Sequence, residues 1–405
     1  MKKILVVSNN PFSTTENNGK TLLSFFKDFP SENIAQLYFQ DIEFPEELNY
    51  LNYKITDREM LPFKRKQLII KKNFLEKNYN SKIKKSELLR ILREIIWWQG
   101  KWRNRKLDLW IEKFKPEYIF FCAGDSGFSY SVVEYLSKKY GLKIMVYITD
   151  DYILPRKTIN LFWWIRRNYI LSKMKKMIKK SKEFFVVSPQ MQKEYSEIFN
   201  KKGNILINIP ENIISMDKIE KKEFREIKLV YMGGFHYGRD EVLLEVAKVI
   251  ETINLKNNLN IKFEIFSTQK LSTKKLVEFN KYKSSYFNGS LSKEEVDKKL
   301  KEDIILLHVE SFNKSYVEKT RLSLSTKIPE YLSSGNPIIA IGPSEIASMK
   351  FLEGTAFCIY KREQLEEKIS LLIDDRKLKQ LSERSYFKFL ELKNILERSK
   401  EKLRK

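Results

Sequence analysis

The sequence has few of the residues used for metal binding and nucleophilic catalysis. Histidine occurs twice in 405 residues, as His236 and His308, and neither has a cysteine or a second histidine nearby. No metal-ligand spacing can be built from them, and histidine-dependent triads are all but excluded. Cysteine also occurs twice. Cys122 and Cys358 lie far apart in apolar runs and read as buried thiols of a reducing compartment, not as a disulfide. No stretch approaches the roughly 18–20 consecutive apolar residues of a membrane span. The opening Met-Lys-Lys-Ile-Leu-Val-Val is too short an apolar run for a signal peptide, so a cytoplasmic location is expected. Acids are also short: 52 Asp and Glu face 76 Lys and Arg, a formal charge of +24.

What remains is ample for a globular protein. Hydrophobic residues make up 42% and aromatics 13%, and the length suits two domains, each with its own core. The basic excess is clustered. Residues 63–106 hold 15 basic and 3 acidic side chains, half of the net charge, with Trp97, Trp98, Trp102 and Trp110 in or just beyond them. Such clustering implies an acidic partner or a negatively charged surface, with a solvated lysine-rich face as the alternative.

The apolar pattern alternates strands with helices. KILVVS at 3–8 reads as a first strand, followed by a polar loop with Asn18-Gly19-Lys20 and a helix over about 21–29. This is the opening of a Rossmann-like domain, although G-x-G-x-x-G and Walker spacings are both absent. Further strands are expected at 34–39, 118–122, 143–148, 184–187 and 205–207. A helix over 161–180 is amphipathic in its second half, with Ile170, Met174, Met177 and Ile178 opposite Lys173, Lys176, Lys179 and Lys180. Residues 211–226 are charged and read as a linker. The rhythm then restarts with strands at 228–232, 261–266, 304–309 and 356–359, a Gly233-Gly234 loop, an Asn288-Gly289 turn, and a helical C-terminus.

The stretch 323–342, SLSTKIPEYLSSGNPIIAIG, organises the second half. Thr326 is the expected N-cap of a short helix that Gly335 ends, and Ile338-Ile339-Ala340-Ile341 is a buried parallel strand. Ser325, Thr326, Lys327 and Glu330 crowd the helix start, where an anion suits the free N–H groups and a carboxylate suits a diol. An ordinary strand–helix unit with a solvated lysine and glutamate has the same local pattern.

With these residues in hand, the chain resembles the two-domain (GT-B) glycosyltransferases, and within them the large retaining family four. The marks are 325–339 (STKIPEYLSSGNPII), Phe287-Asn288-Gly289-Ser290-Leu291-Ser292 before the strand at 304–309, Tyr231-Met232-Gly233-Gly234, Val187-Ser188-Pro189-Gln190-Met191 and Asn208-Ile209-Pro210. The resemblance implies an α/β chain of two Rossmann-like doubly wound domains facing across a cleft, with a C-terminal helix crossing back to the first. The expected division is 1–210 for the acceptor, 211–226 as linker, 227–380 for the nucleotide sugar and 381–405 as the terminal helix. Glu330 would hold the donor ribose, and Ser325, Thr326 and Lys327 its diphosphate. Gly234 would admit the phosphates, with Arg239 a second cation, and Asn288 and Gly289 would border the base. Asn18, Gly19 and Lys20 would face the diphosphate or acceptor, and Asp150 is the candidate for contact with the transferred sugar.

Two positions depart from that family. Leu322 stands where the first of a pair of glutamates with seven residues between them is usual, Glu330 being the second, which leaves Glu310 or Glu318 as substitutes. Phe235 stands where an arginine is usual. The implied reaction is sugar transfer with retention from a nucleotide-diphosphate sugar to a glycan or lipid-linked acceptor, with no metal and no other cofactor. Leaving-group charge would be met by Lys327, with Arg239 as a second cation, by hydroxyls and by a helix N-terminus. The basic segment and the 161–180 helix suit an anionic inner-membrane face and a peripheral location there. Nucleic acid is not expected as a partner, since no RNA-binding signature accompanies the basic patch. A nucleotide-sugar epimerase and a catalytically silent nucleotide-sugar binder remain as alternatives.

Overall fold

Apolar runs long enough to be covered on both faces build two all-parallel sheets. The computed structural model describes residues 2–14, 17–61, 87–210, 213–371 and 374–404. The first sheet comprises β1 (Ile4–Ser8), β2 (Ile34–Tyr38), β3 (Leu51–Lys54), β4 (Tyr118–Ala123), β5 (Lys143–Ile148), β6 (Glu183–Val186) and β7 (Asn204–Ile205), in the order β3-β2-β1-β4-β5-β6-β7. The second comprises β8 (Lys228–Met232), β9 (Lys262–Phe266), β10 (Ser285–Phe287), β11 (Ile305–Val309), β12 (Ile338–Ile341) and β13 (Phe357–Ile359), ordered β10-β9-β8-β11-β12-β13. Strand order reverses beside β1 in one sheet and beside β8 in the other, as in Rossmann-like domains.

Every residue of β1, β2, β11 and β12 is buried. Sequence reading passed over β3, whose residues are exposed or half-buried at the sheet edge and carry no clear apolar face. Aromatics fill the first core: Trp97 stacks on Phe128 at 3.9 Å between centroids, and Phe26 meets Phe120 edge-on at 5.1 Å. Aliphatic residues of the helix Arg239–Asn257 and of β8, β9, β11 and β12 fill the second. Both cysteines are free thiols, and burial raises the Cys122 thiol to about 12.

The chain divides into two compact units, one of Met1–Val187, Gln192–Leu206 and Arg398–Lys405, the other of Ser188–Met191 and Ile207–Glu397. The 30-residue helix Asp375–Arg404 therefore begins in the second unit and ends in the first. There Ser399 donates to the Ile205 carbonyl, and Lys400 Nζ lies 2.9 Å from Asp28 Oδ2.

Much of the charged stretch 211–226 packs within the second unit. It forms the helix Met216–Glu220, buries Ile219, and buries Lys222 with its Nζ 2.6 Å from Asn336 Oδ1 and 3.2 Å from Asp303 Oδ1. Ile219 and Ile214 also close on Gly335, which has φ +59°. A Cβ there would lie 2.8 Å from Ile219 Cδ1 and 2.9 Å from Ile214 Cγ2. Gly335→Ala combines left-handed strain with this crowding and should cost roughly 1–3 kcal/mol in urea unfolding. An unchanged midpoint would mean that the 213–222 segment yields freely.

Candidate functional site

Ligands of open α/β sheets bind beyond the carboxyl ends of the strands, where strand order reverses. In the second unit that point lies between β8 and β11. The Gly233-Gly234 loop leaves β8, and Glu310 follows β11. The helix Lys327–Ser333, which precedes β12, is drawn to the same place by one buried side chain. Tyr331 Oη accepts from Met232 N at 3.1 Å and donates to Met232 O at 3.2 Å. Burial pushes its phenol far above the ordinary value, so the proton needed for the second bond is retained. Lys327 and Glu330 sit on the same short helix, three residues apart and so neighbours on its surface. The helix that carries Lys327 and Glu330 is thus tied to the last residue of β8, next in sequence to the Gly233-Gly234 loop.

The helix start differs from expectation in one respect. Thr326 is exposed, has helical φ and ψ, and makes no side-chain cap, because the chain has already turned into the helix at that residue. Ser325 sits against the start instead. Its Oγ faces Lys327 N at 3.4 Å, and its own N–H donates to Ser348 Oγ at 3.2 Å.

Arg239 reaches the switch point, but its charge is committed. Its Nη2 lies 3.1 and 3.0 Å from the two carboxylate oxygens of Glu310, and His308 Nε2 lies 3.2 Å from Glu310 Oε1. Burial alone would raise the Glu310 carboxyl; Arg239 and His308 instead bring it down to about 2. The buried Arg239 Nε has no hydrogen-bond partner among the described residues. Leu322 is a core residue with 2% exposure, so its position gives no acid to the site. Phe235 packs against Phe287 with centroids 5.9 Å apart, an apolar plug where the family resemblance leads one to expect a cation.

Gln269 was missed by sequence reading, since a lone glutamine after a strand has no local signature. Its Oε1 accepts from Phe235 N at 2.6 Å and its Nε2 lies 2.6 Å from His236 Nε2, so it braces the glycine loop. Tyr231 completes the brace by donating to the Gly234 carbonyl at 2.6 Å. Asn288 and Gly289 follow β10, two strands out from β8, tied by Asn288 N to Ile265 O at 3.0 Å and Ser267 N to Gly289 O at 2.7 Å.

In the first unit, Asn18, Gly19 and Lys20 fall in the helix Asn17–Phe26 that follows β1. A Cβ on Gly19 would lie 2.3 Å from the Pro11 carbonyl, so this glycine lets the β1 loop close on the helix. Asp150 follows β5 and is half-buried. Its neighbour Asp151 is the fully buried acid, accepting from Ile153 N at 3.1 Å, Leu154 N at 2.9 Å and Tyr195 Oη at 3.1 Å. That makes Asp151 a loop-building residue. Glu94, on the helix Glu87–Trp98, accepts from Gly127 N at 2.6 Å, while its buried Oε2 has no partner among the described residues. Burial raises its carboxyl to about 7 against the opposing pull of the Gly127 and Phe128 amides.

The basic run divides into different roles. Its residues 63–86 lie outside the described residues. In the remainder, Arg90 pairs with Asp125, and Arg93 Nε lies 2.8 Å from Asp57 Oδ1. Trp97 and Trp102 are core, whereas Trp98 is exposed. Ile170, Met174, Met177 and Ile178 are all buried, so that apolar face of the helix Leu161–Lys180 belongs to the core.

No family model and no curated protein sequence matches the chain. Solved structures do. A UDP-forming α,α-trehalose-phosphate synthase from Burkholderia xenovorans superposes with a TM-score of 0.63 at 11% identity, over 100% of this chain and 98% of that one. WaaG, a glycosyltransferase involved in lipopolysaccharide biosynthesis, gives 0.59 at 10%, over 98% of each chain. An E. coli trehalose-6-phosphate protein bound with UDP-2-fluoro glucose gives 0.59 at 9%, over 96% and 95%. The fold is the GT-B fold of glycosyltransferases. At these identities the likeness concerns the fold, and the GT-B chain here keeps its own set of side chains at the β8/β11 switch point.

Two outcomes follow from the geometry. Tyr331→Phe removes the donor to Met232 O and one acceptor, and should lower stability by roughly 1–3 kcal/mol in urea unfolding and weaken any ligand of the glycine loop. Glu94 supplies a pH test. Between 4.5 and about 7 the folded protein holds a Glu94 proton that the unfolded chain has released, so stability falls as the pH rises through that window. Glu94→Gln should abolish this fall, seen as converging and diverging unfolding curves against pH; parallel curves would mean that Glu94 titrates normally.

Proposed function

We propose that the protein is a glycosyltransferase that moves a sugar from a nucleotide-diphosphate sugar to a glycan or lipid-linked acceptor. The observation that carries this reading is the Tyr331–Met232 clamp, which sets the helix bearing Lys327 and Glu330 on the end of β8 beside Gly233-Gly234. A cation, hydroxyls and a carboxylate on one short helix beside a glycine loop match a diphosphate and a ribose diol. In this reading Lys327 and Ser325 take the diphosphate, Glu330 takes the ribose hydroxyls, and Asn288 and Gly289 border the base. The UDP-2-fluoro glucose bound by the E. coli neighbour of the same fold supports a nucleotide sugar as donor.

The chemistry asks for departure of a nucleoside diphosphate from an anomeric carbon. Lys327 answers the charge that develops on the leaving group, so no metal is required in this reading. Arg239 acts by holding Glu310 and the β8/β11 loops rather than by touching phosphate. Retention follows by attack on the face that the diphosphate leaves, with a phosphate oxygen drawing the acceptor proton. Asp150 is the candidate for contact with the transferred sugar, and Asn18, Gly19 and Lys20 for the acceptor side. Among the described residues no helix is long and apolar enough to cross a membrane. The protein would work in the cytoplasm and associate peripherally with the inner membrane face.

A catalytically silent nucleotide-sugar binder is the second reading, favoured by the burial of Leu322 and the locking of Glu310. Thermal-shift titration with UDP-, GDP- and other nucleotide sugars tests both. The expected result is stabilisation by one nucleotide class, with affinity roughly 10–100-fold weaker in Lys327→Ala and in Glu330→Ala. Binding untouched by either substitution would sink the site. Binding without release of nucleoside diphosphate, with or without acceptor, would favour the silent binder.

A further inference from the structure

A cavity of about 810 Å³ opens in the first unit among the helices Glu87–Trp98, Gly127–Tyr140 and Leu161–Lys180. That volume lies within the range of roughly 300–1,000 Å³ typical of small-molecule sites. Its walls are divided by chemistry. At one end stand large apolar side chains that a water-soluble protein ordinarily covers: Trp98 is 88% exposed, Ile95 52% and Ile165 50%, with Tyr169 beside them. The apolar strip runs on along both helices through Leu92 and Leu161. Exposed hydrophobics gathered in this way mark a binding surface.

At the other end the same helices turn cationic. Tyr169 is followed one turn later by Lys173, and Lys176 and Lys138 stand near it, with Arg103 over the rings of Trp102 and Tyr135. Two acids face the cavity. Glu134 lies 2.9 Å from Lys176, 2.9 Å from Lys180 and 3.9 Å from Lys138, and so offsets one of these charges. Glu94 is turned to the Gly127 amide. Arg166 also lines the cavity, but Glu87 and Asp125 neutralise it. A net positive end remains, joined to an apolar trough.

We propose that this cavity binds an anionic amphiphile, a hydrocarbon chain ending in a phosphate. The chain lies along Ile95, Trp98, Ile165 and Tyr169, and the phosphate meets Lys138, Lys173 and Lys176. Burial of the apolar trough drives capture, and the lysines select charge. This names the lipid class for the acceptor of the transferase reading and rests on that reading only for the occupant's role as acceptor. A bilayer phospholipid has the same chemistry and is the other source.

The test uses the full chain and a single-chain lysophosphatidic acid below its micelle concentration, in a version brominated on the acyl chain. Saturable binding near one per chain with quenching of tryptophan fluorescence is expected. Ile165→Glu and Trp98→Ala should each weaken capture roughly tenfold, and Lys138→Glu with Lys173→Glu by at least as much. All four side chains are partly or fully exposed, so the variants should fold, and nucleotide-induced thermal stabilisation should be unchanged in them. Equal capture of an uncharged monoacylglycerol, or saturation by inorganic phosphate alone, would overturn the amphiphile. Tighter capture of a single-stranded RNA oligonucleotide would make the patch a nucleic-acid surface. Binding to phosphatidic acid vesicles without capture of the monomer would make it a membrane-contact face and overturn the cavity. Lipid capture without nucleotide binding would sink the transferase reading alone; nucleotide binding without lipid capture would sink this site alone.

Discussion

The candidate site depends on a phenol. Tyr331 is buried at the root of its helix and closes two hydrogen bonds on the backbone of a single residue, Met232. Both partners belong to elements that would exist without it: β8 is an apolar strand, and the helix Lys327–Ser333 is set by Ser325 before it and Gly335 after it. What the phenol adds is their mutual placement. A helix of seven residues has little intrinsic stability, and tertiary packing decides where it lies. Gln269 and Tyr231 do the same for the opposite bank, fixing the glycine loop through its backbone. The residues that would touch a ligand are therefore held by residues that would not.

Charge is handled differently in the two units. At the β8/β11 switch point the most buried charges cancel, since Glu310 takes both its hydrogen bonds from Arg239. A pair this well matched keeps the carboxylate ionised while presenting little net field. In the first unit the largely buried pair Arg166–Glu87 and the half-buried pair Arg90–Asp125 are likewise self-contained, but the lysines of the helix Leu161–Lys180 outnumber the acids beside them. The chain's overall basicity thus becomes local field only where acids are missing.

Periodicity made the sheets legible, because strands covered on both faces are apolar almost throughout, as β1, β11 and β12 are apart from Ser8 and His308. It failed for β3, an edge strand with no face to hide, and for 211–226, where Ile219 and Lys222 find buried partners far away in sequence. The short helix around Glu330 and the strand after it were legible because they lie in one continuous stretch. Gln269 and the Arg239–Glu310 pair were not, since their roles arise from strands brought together in space. The amphipathic helix was read correctly as amphipathic, but its Ile170 and Met174 face turned inward, and the exposed apolar residues are those of the preceding turns. Helical periodicity identifies an apolar face without saying whether protein or solvent meets it.

The last helix has a consequence for how this protein can be divided. At 30 residues and about 1.5 Å of rise each it is roughly 45 Å long, and its final turns carry Ser399 to Ile205 and Lys400 to Asp28, both in the first unit. A polypeptide cut after residue 206 would lack the Ser399 and Lys400 side chains that bond Ile205 and Asp28. The two units are distinct in space but interleaved in sequence. Because residues 398–405 belong to the first unit and are made after 207–397 of the second, the first cannot finish folding ahead of the second's translation.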